Sequence, residues 1–413
     1  MSRKLLILFL AASLLFAPSI SFATDVMTRC YSKTISALDS YTKLLIHGDS
    51  IGDSTGKTVT ANGNAAVTTA QYKFAELGRS IVFDGTGDYL SLADSDDWNF
   101  GSGDYTIDFW VRFNTLPSAG NQVVFYSHKY TPTDRAVQFR IYNNSGAYQL
   151  GYYVQDLNPI NPDLIAIDVA VSITKGTWYH IAAVRNGTDT RVYLNGSSVG
   201  YNTQSYTYPN FDSNLWIGCE YGTIKYLDGW MEEIRVSKDV ARWTSNFTPP
   251  TAPYDGARTV VNITGLDGNT DEEYRLMTRL INGSSENTAL LIRYNNDSGT
   301  NYGDELLTGE SATASASRNT DRTYLALVNG TASGLGAMGM SEFLFYAKSG
   351  HIRTSLNQNT YDTVGTTITG IVLVGGVWNN TLDNITSLVI FANRTNGLGV
   401  GTNIELYKKS AKQ

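Results

Sequence analysis

The sequence is poor in cysteine, in histidine and in charge. Its 413 residues include 2 Cys and 4 His, and 17% of them are charged. No further Cys or His lies near either cysteine, so a structural zinc site with four closely spaced ligands is not expected. The net charge of -7 argues against non-specific nucleic-acid binding, which needs a basic surface. No glycine-rich phosphate loop joins a predicted strand to a helix, so no nucleotide site is predicted either.

Long apolar runs are also missing, with one exception at the N-terminus. The run 5–16 follows a basic pair, Arg3 and Lys4, and precedes small residues that suit cleavage after Ala23. It is short for a membrane span, which takes about 20 apolar residues. The pattern is typical of a secretory signal peptide. We therefore expect residues 1–23 to be cleaved, which leaves a secreted, extracellular or cell-surface protein without a membrane span. An uncleaved anchor is the alternative.

The two cysteines, Cys30 and Cys219, are far apart in the sequence. Export would permit a disulfide between them, because oxidising compartments preserve such bonds. Their spacing does not show whether they are close in space, so two free thiols are an equal alternative.

Glycine and tyrosine are abundant, with 38 and 26 residues, and they occur in short alternating segments. In the clearest segment, 80–113, the apolar residues Ile107, Phe109 and Val111 recur at every second position. This period is typical of a strand with one buried face. Many such strands, separated by Gly, Asn and Asp turns, predict an all-β fold of two antiparallel β-sandwich or jelly-roll domains.

A cluster of prolines, Pro249, Pro250 and Pro253, divides the chain, because proline-rich segments form stiff linkers. We predict five consecutive parts: a signal peptide at 1–23, a polar lead-in at 24–42, a first sandwich at 43–248, a proline-rich linker at 249–257 and a second β-sandwich of unassigned role at 258–413.

Three segments of the first domain share a recognisable order. They are 81–111, with IVFDG, GDYL and YTIDFWV; 178–196, with WYHIA and VYLNG; and 217–236, with IG and LDGWMEEIRV. Together they resemble the laminin-G-like, concanavalin-A-like jelly-roll family over about residues 43–254. That resemblance implies two antiparallel sheets packed face to face. It also implies non-catalytic binding of glycans or proteins, often with a calcium ion near one rim.

The second domain has its own short motifs, namely GLDG at 265–268, DEEY at 271–274, NND at 295–297 and NYG at 301–303. These motifs resemble β-domains at the C-terminal end of some phage and bacterial surface proteins. The resemblance implies no defined activity, and it is compatible with self-assembly through this domain.

Calcium is a candidate cofactor, with Asp49, Asp53 and Glu232 as its ligands. Asp49 and Asp53 lie in a Gly/Ser loop, while the alternation of the last strand predicts that Glu232 points inward with Ile234 and Val236. An inward carboxylate is costly unless it is paired or binds a metal. The first and last strands of such a jelly roll are commonly neighbours, so the three carboxylates could share one ion. Alternatively, Glu232 accepts backbone N–H groups or an arginine, and the aspartates only form turns.

Aromatic residues are concentrated in the run 201–211, YNTQSYTYPNF. Glycan sites usually combine exposed rings with a few polar groups. We predict that Tyr201, Tyr206, Tyr208 and Phe211 contact a ligand, and burial in a core is the alternative. Further aromatic candidates are Tyr152, Tyr153 and Tyr221.

Catalysis is not predicted. The nearest carboxylates to a jelly-roll glucanase pattern are Asp228, Glu232 and Glu233. Glu232 and Glu233 are adjacent and therefore point to opposite faces of a strand, whereas such an enzyme needs carboxylates that face one cleft. We predict a non-enzymatic binding or adhesion protein that recognises glycans or a surface protein through rim loops. The alternatives are a structural or receptor-binding component of a phage-like particle or cell-surface assembly, and a weak polysaccharide hydrolase.

Overall fold

The computed structural model describes residues 27–131, 134–155, 163–310, 313–328, 330–331, 334–362 and 368–409, so the predicted signal peptide lies outside the described residues. The described part folds into four antiparallel sheets with two short helical turns, which confirms the all-β fold class. In chain order the elements are β1 (Met27–Thr34), β2 (Thr42–Ile46), β3 (Thr60–Asn62), β4 (Ala66–Thr68), β5 (Ser80–Asp84), β6 (Tyr89–Leu92), a 3₁₀ helix (Asp96–Trp98), β7 (Tyr105–Phe113), β8 (Gln122–Thr131), β9 (Asp134–Asn144), β10 (Ala147–Gln155), β11 (Asp163–Ala170), β12 (Trp178–Asn186), β13 (Asp189–Leu194), β14 (Ser197–Thr203), β15 (Leu215–Ile217), β16 (Asp228–Lys238), β17 (Val260–Thr264), α1 (Gly268–Asp271), β18 (Glu273–Ile281), β19 (Leu290–Tyr294), β20 (Tyr302–Glu310), β21 (Thr313–Arg322), β22 (Leu325–Val328), β23 (Met338–Tyr346), β24 (Arg353–Asp362), β25 (Ile368–Trp378), β26 (Ser387–Ala392) and β27 (Asn403–Lys409). In this part of the chain, neither helix is long and apolar enough to cross a membrane.

The first unit is a sandwich of two sheets. Its front sheet has the strand order β11-β10-β9-β8-β15-β6-β3, and its back sheet has the order β14-β13-β12-β7-β16-β5-β4, with β2 also paired to β16. In the central strands of both sheets, every second side chain points between the sheets and is buried there. Phe109 of the back sheet lies 5.2 Å from Phe125 and 5.5 Å from Phe139 of the front sheet, between ring centroids. The predicted strand with Phe109 is thus central to this core.

A β-bulge changes the direction of the side chains in β16. The pairing of β16 with β7 shifts register between Glu232 and Arg235, and Glu233 has a φ of 53°. An extra residue in one strand reverses which side chains face the partner sheet. Ile234 therefore faces the core, whereas Glu232 lies opposite Trp110 on the outer side of the back sheet. The prediction that Glu232 points inward with Ile234 was wrong for this reason.

Two chain segments cover the outer side of the back sheet. Phe74 of the loop that precedes β5 packs against Trp110, with 5.8 Å between ring centroids. Beyond β16, Trp243 and Phe247 stack on each other at 3.9 Å and pack against Tyr193. Polar side chains on this side of the sheet are consequently buried rather than solvated.

The second unit has a large sheet with the order β1-β27-β18-β23-β24-β25-β20-β21 and a small sheet with the order β17-β26-β19-β22. Its core contains a group of stacked and tilted rings, including Tyr294 and Trp378 at 5.2 Å.

The two units are joined partly through Arg258. This buried arginine donates to the Glu76 carboxylate at 2.5 Å and to the Tyr254 carbonyl at 2.8 Å.

The N-terminal strand β1 belongs to the second unit, where it pairs with β27 from Met27↔Lys409 to Thr34↔Asn403. The sequence predicted only a polar lead-in at 24–42. Most side chains of β1 are exposed, because it is an edge strand, so its sequence has no apolar face that would have revealed it. Cys30 lies on β1 and Cys219 is buried in the first unit, and both are free thiols.

Candidate functional site

Three of the four predicted ligand-binding aromatic residues lie in the core. Tyr206, Tyr208 and Phe211 are exposed by 5%, 1% and 0%. A buried tyrosine hydroxyl usually has a hydrogen-bond partner, and the Tyr206 hydroxyl lies 2.8 Å from the hydroxyl of Tyr105. The prediction that these three rings form an exposed platform was therefore wrong. Tyr201 alone is exposed, on the edge strand β14, where Arg191 lies 5.2 Å from its ring.

The predicted calcium ligands each accept hydrogen bonds from the main chain. Asp49 accepts from the Thr259 and Val260 amides at 2.7 and 3.1 Å, and so joins the two units. Asp53 accepts from the Leu45 amide at 2.8 Å.

Glu232 accepts from the Lys73 amide and, at 3.3 Å, from the Phe74 amide. Glu232 thus accepts hydrogen bonds from backbone N–H groups, which was the alternative to calcium binding. Among the described residues, no three His, Cys, Asp or Glu side chains form a group that could hold a metal. The calcium site at Asp49, Asp53 and Glu232 stays a prediction.

The carboxylates nearest to a glucanase pattern face different surroundings. Asp228 accepts from Asn114 at 3.0 Å and from Thr115 at 2.7 Å near the sheet end. Glu233 is buried, where it contacts His47 Nδ1 at 2.6 Å and accepts from the Tyr254 amide at 2.7 Å. A glycosidase places two carboxyl groups on either side of one substrate bond. Asp228 near the sheet end, Glu233 beside His47 and Glu232 beside the Lys73 amide each have their own hydrogen-bond partners.

A buried ionic network lies on the covered side of the back sheet. Arg235 binds Asp108 through two bonds of 2.9 and 3.3 Å, and the Tyr254 hydroxyl donates to Asp108 at 2.6 Å. Burial raises the pKa of Asp108, but Arg235, His180 and Tyr254 together lower it more strongly, so that the pKa is about 2. The network fastens the segment after β16 to the back sheet and has a structural role.

The outer side of the front sheet presents polar and aromatic side chains. In β9, Phe139 and Ile141 face the core, so Gln138 and Arg140 point outward. In β10, Tyr152 faces the core and Tyr153 points outward. The same alternation brings Asp168 of β11 to this side, opposite Gly151.

Arg140, Tyr153 and Asp168 form one connected group. Arg140 Nη2 donates to the Tyr153 hydroxyl at 2.9 Å, and the Arg140 guanidinium lies 4.4 Å from the centre of the Tyr153 ring. The Tyr153 hydroxyl donates to Asp168. Burial and the bond to Asp168 raise the pKa of Tyr153 to about 12. A Cβ at Gly151 would lie 2.6 Å from Asp168 Oδ1, so a larger residue there would require the Asp168 side chain to move.

A second aromatic group lies further across the same sheet. Trp216 of β15 contacts Tyr221 at 5.2 Å between centroids. Cross-strand pairing places Trp216, Ser127, Gln138 and Tyr153 in one row over four adjacent strands. Trp216 and Tyr153 are therefore three strand spacings apart, or about 14 Å. Between them, Gln138 donates to Glu220 at 2.5 Å.

We call this surface the front face. Of the aromatic candidates in the sequence, Tyr153 and Tyr221 belong to it, and Tyr152 is buried in the core. Arg140, Trp216 and Asp168 were not predicted, although the outward positions of alternating strands were a signal for them. The front face consists of Gln138, Arg140, Tyr153, Asp168, Trp216, Glu220 and Tyr221.

Part of the first unit matches a known family model. Residues 84–244 match the family model of the concanavalin A-like lectin/glucanases superfamily. This unit has a concanavalin A-like fold. The second unit lies outside the matched residues, and the chain has no match among the curated proteins.

Several solved structures are similar to parts of the chain. Domain 4 of the extracellular arabinanase AbnA from Geobacillus stearothermophilus, in complex with arabinotriose, is 17% identical, with 50% of this chain and 94% of that chain covered and a TM-score of 0.37. The binding domain of botulinum neurotoxin DC in complex with SialylT is 13% identical, with 85% and 98% covered and a TM-score of 0.38. The CBM40 of Ruminococcus gnavus IT-sialidase bound to α2,3-sialyllactose is 15% identical, with 40% and 91% covered and a TM-score of 0.32.

Proposed function

We propose that the protein is a non-enzymatic, extracellular or cell-surface binding protein that recognises glycans through the front face of its concanavalin A-like unit. The observation that carries this proposal is the connected group of Arg140, Tyr153 and Asp168, with the Trp216–Tyr221 pair on the same side of one sheet. The apolar run before Ala23 supports the extracellular location.

The chemistry of the front face suits a sugar chain. A sugar ring offers an apolar C–H surface to an aromatic ring and hydroxyl groups to nearby donors and acceptors. On the front face, Tyr153 and Tyr221 supply half-buried rings, while Arg140 and Asp168 supply charged hydrogen-bonding groups beside Tyr153. The separation of about 14 Å between Tyr153 and Trp216 would accommodate a short oligosaccharide rather than a single sugar.

The front face is also largely ordered before binding. Tyr153 is held by Arg140 and Asp168, and Gln138 is held by Glu220. Side chains that are already fixed lose less conformational freedom when a ligand binds. The entropy cost of ordering them therefore offsets less of the binding free energy.

The experiment is a glycan array with the purified protein, run with and without calcium, followed by titration of a retained glycan. Tyr153→Ala should weaken binding at least about 10-fold, as expected for truncation of a central interface ring. Tyr72→Ala is the matched control, because Tyr72 is 45% exposed and lies in the loop before β5, outside the front face. The proposal fails if the array retains nothing, or if Tyr153→Ala binds like the unsubstituted protein while both variants remain folded.

A further inference from the structure

The large sheet of the second unit has one uncovered side that is rich in apolar side chains. The small sheet and the core cluster lie on its other side. Eight large apolar side chains point away from that core and are 37% to 60% exposed. We call this surface the apolar face. Its members are Met277, Leu307, Met338, Met340, Leu344, Leu356, Ile371 and Leu373.

These side chains form a contiguous surface, because the strands bring them into register. The central cross-strand row is Met277, Glu342, Gln358, Leu373 and Leu307. The neighbouring rows contribute further apolar members on either side of the central one. One neighbouring row is Arg275, Leu344, Leu356, Gly375 and Glu305, and the other is Arg279, Met340, Thr360, Ile371 and Gly309. Contiguous exposed apolar patches of this kind mark interaction surfaces, whereas single exposed apolar residues do not.

The uncovered side of the large sheet is large enough for a stable protein contact. The apolar face lies on five adjacent strands, β18, β23, β24, β25 and β20, which cover about 24 Å, and its three rows cover about 20 Å along the strands, or roughly 480 Å². With the outer strands β1, β27 and β21 the uncovered side extends over about 34 Å, so two facing copies would bury roughly 1,400 Å², of which roughly 960 Å² comes from the two apolar faces. Stable interfaces typically bury about 1,200 to 2,000 Å².

Charged side chains within the face and at its margins form ion pairs. Glu342 of the central row pairs with Arg275 at 2.7 Å, and at one margin Arg29 pairs with Glu405 at 3.4 Å. Glu305 pairs with Arg318 on the opposite margin. The whole chain has a net charge of -7, so two copies repel each other unless the contacting surfaces are locally neutral. Apart from the paired Glu342, the face has an apolar centre and a charged margin, which is the usual composition of a protein interface.

The shape of the face supports contact with a protein side chain. A Cβ at Gly375 would meet no atom within 4 Å, and the depression there has a volume of about 640 Å³. Leu307, Leu356 and Leu373 line it. Met340 lies in an adjacent row, and methionine adapts its shape to irregular cavities. In a two-fold contact each copy presents the same patch, so a methionine of one copy can occupy the depression of the other.

We propose that the apolar face binds a second copy of this chain and forms a symmetric dimer. The eight apolar side chains include no aromatic ring, so the face lacks the stacking platform of a glycan site. The proposal is independent of glycan binding, because the front face belongs to the other unit.

The test measures the mass of the purified protein from 1 to 100 µM by sedimentation equilibrium. We expect twice the mass of one chain. Leu373→Glu and, separately, Leu356→Glu should raise the dimer dissociation constant by more than about 30-fold, because each would bury a charge at the centre of the contact. Leu382→Glu is the control, since Leu382 is 86% exposed and lies outside the face, in the loop after β25; this variant should remain dimeric.

Circular dichroism and thermal melting show whether each variant is folded. We expect both variants to fold, because the substituted leucines are exposed. A protein that stays monomeric at 100 µM would overturn the proposal. A folded Leu373→Glu variant that dimerises like the unsubstituted protein would also overturn it. The same holds if the protein binds lipid vesicles but does not dimerise.

Discussion

Replacement of Asp108 by asparagine tests the buried network that fastens the segment after β16 to the first unit. Asp108 has no solvent exposure and the Arg235 side chain is 8% exposed. Asparagine keeps the shape of the side chain but removes its charge, so Arg235 would remain as a buried cation with a neutral partner. The Tyr254 hydroxyl would also lose its charged acceptor.

The expected cost follows from two independent estimates. Removing one partner of a buried ion pair typically destabilises a protein by about 3 to 5 kcal/mol. The pKa of Asp108 falls from 3.8 to about 2, which corresponds to about 2 kcal/mol of favourable interaction with its surroundings at neutral pH. Because the group is fully buried, little of this is lost to solvent screening. We expect Asp108→Asn to lower the free energy of unfolding by about 3 to 5 kcal/mol at pH 7.

Urea denaturation followed by tryptophan fluorescence provides the measurement, because the ring of Trp243 lies 5.6 Å from the Arg235 guanidinium and reports on this region. The control is Glu405→Gln, which removes one partner of an exposed ion pair with a distance of 3.4 Å and should cost at most about 1 kcal/mol. The depressed pKa of Asp108 stabilises the folded state above pH 3.8, and this contribution is lost as the pH falls towards 2. The cost of Asp108→Asn should shrink over the same interval. A cost at pH 7 no larger than that of the control would refute the reasoning.

Two further predictions concern Glu232. Burial raises the pKa of Glu232 to about 9, against hydrogen bonds from the Lys73 and Phe74 amides. The resulting stabilisation is complete below the ordinary pKa of 4.5 and declines as the pH rises towards 9. Glu232→Gln, which cannot ionise, should therefore gain stability relative to the unsubstituted protein between pH 5 and pH 9 in urea denaturation; a constant difference would contradict the shift. If calcium binds Asp49, Asp53 and Glu232, millimolar calcium should raise the melting temperature above that in excess chelator, and equal melting temperatures would count against the site.

The candidate site was only partly predictable. Tyr153 and Tyr221 were recognised as aromatic candidates, yet their partners Arg140, Asp168 and Trp216 come from three different strands. Their proximity depends on the order of strands in the front sheet, which pairs β15 with β8 and β10 with β11. The run that contains Tyr206 and Tyr208 illustrates the opposite outcome. Its composition suits a glycan platform, but both rings are more favourably buried. The Tyr206 hydroxyl bonds to the hydroxyl of Tyr105, which also bonds to that of Tyr152.

The sequence by itself determined the all-β class, the concanavalin A-like character of the first unit and the position of its central strand. The all-β class and the strand position depend on a side-chain period of two and on local turn residues, which a short segment expresses without its neighbours. The concanavalin A-like character followed from the resemblance of three segments to that family. Only the tertiary structure decided the direction of Glu232, because a bulge at Glu233 reversed the alternation. It also assigned β1 to the second unit, the buried tyrosines to the core and the apolar face to the large sheet, because strand pairing between distant segments is not encoded in any one of them.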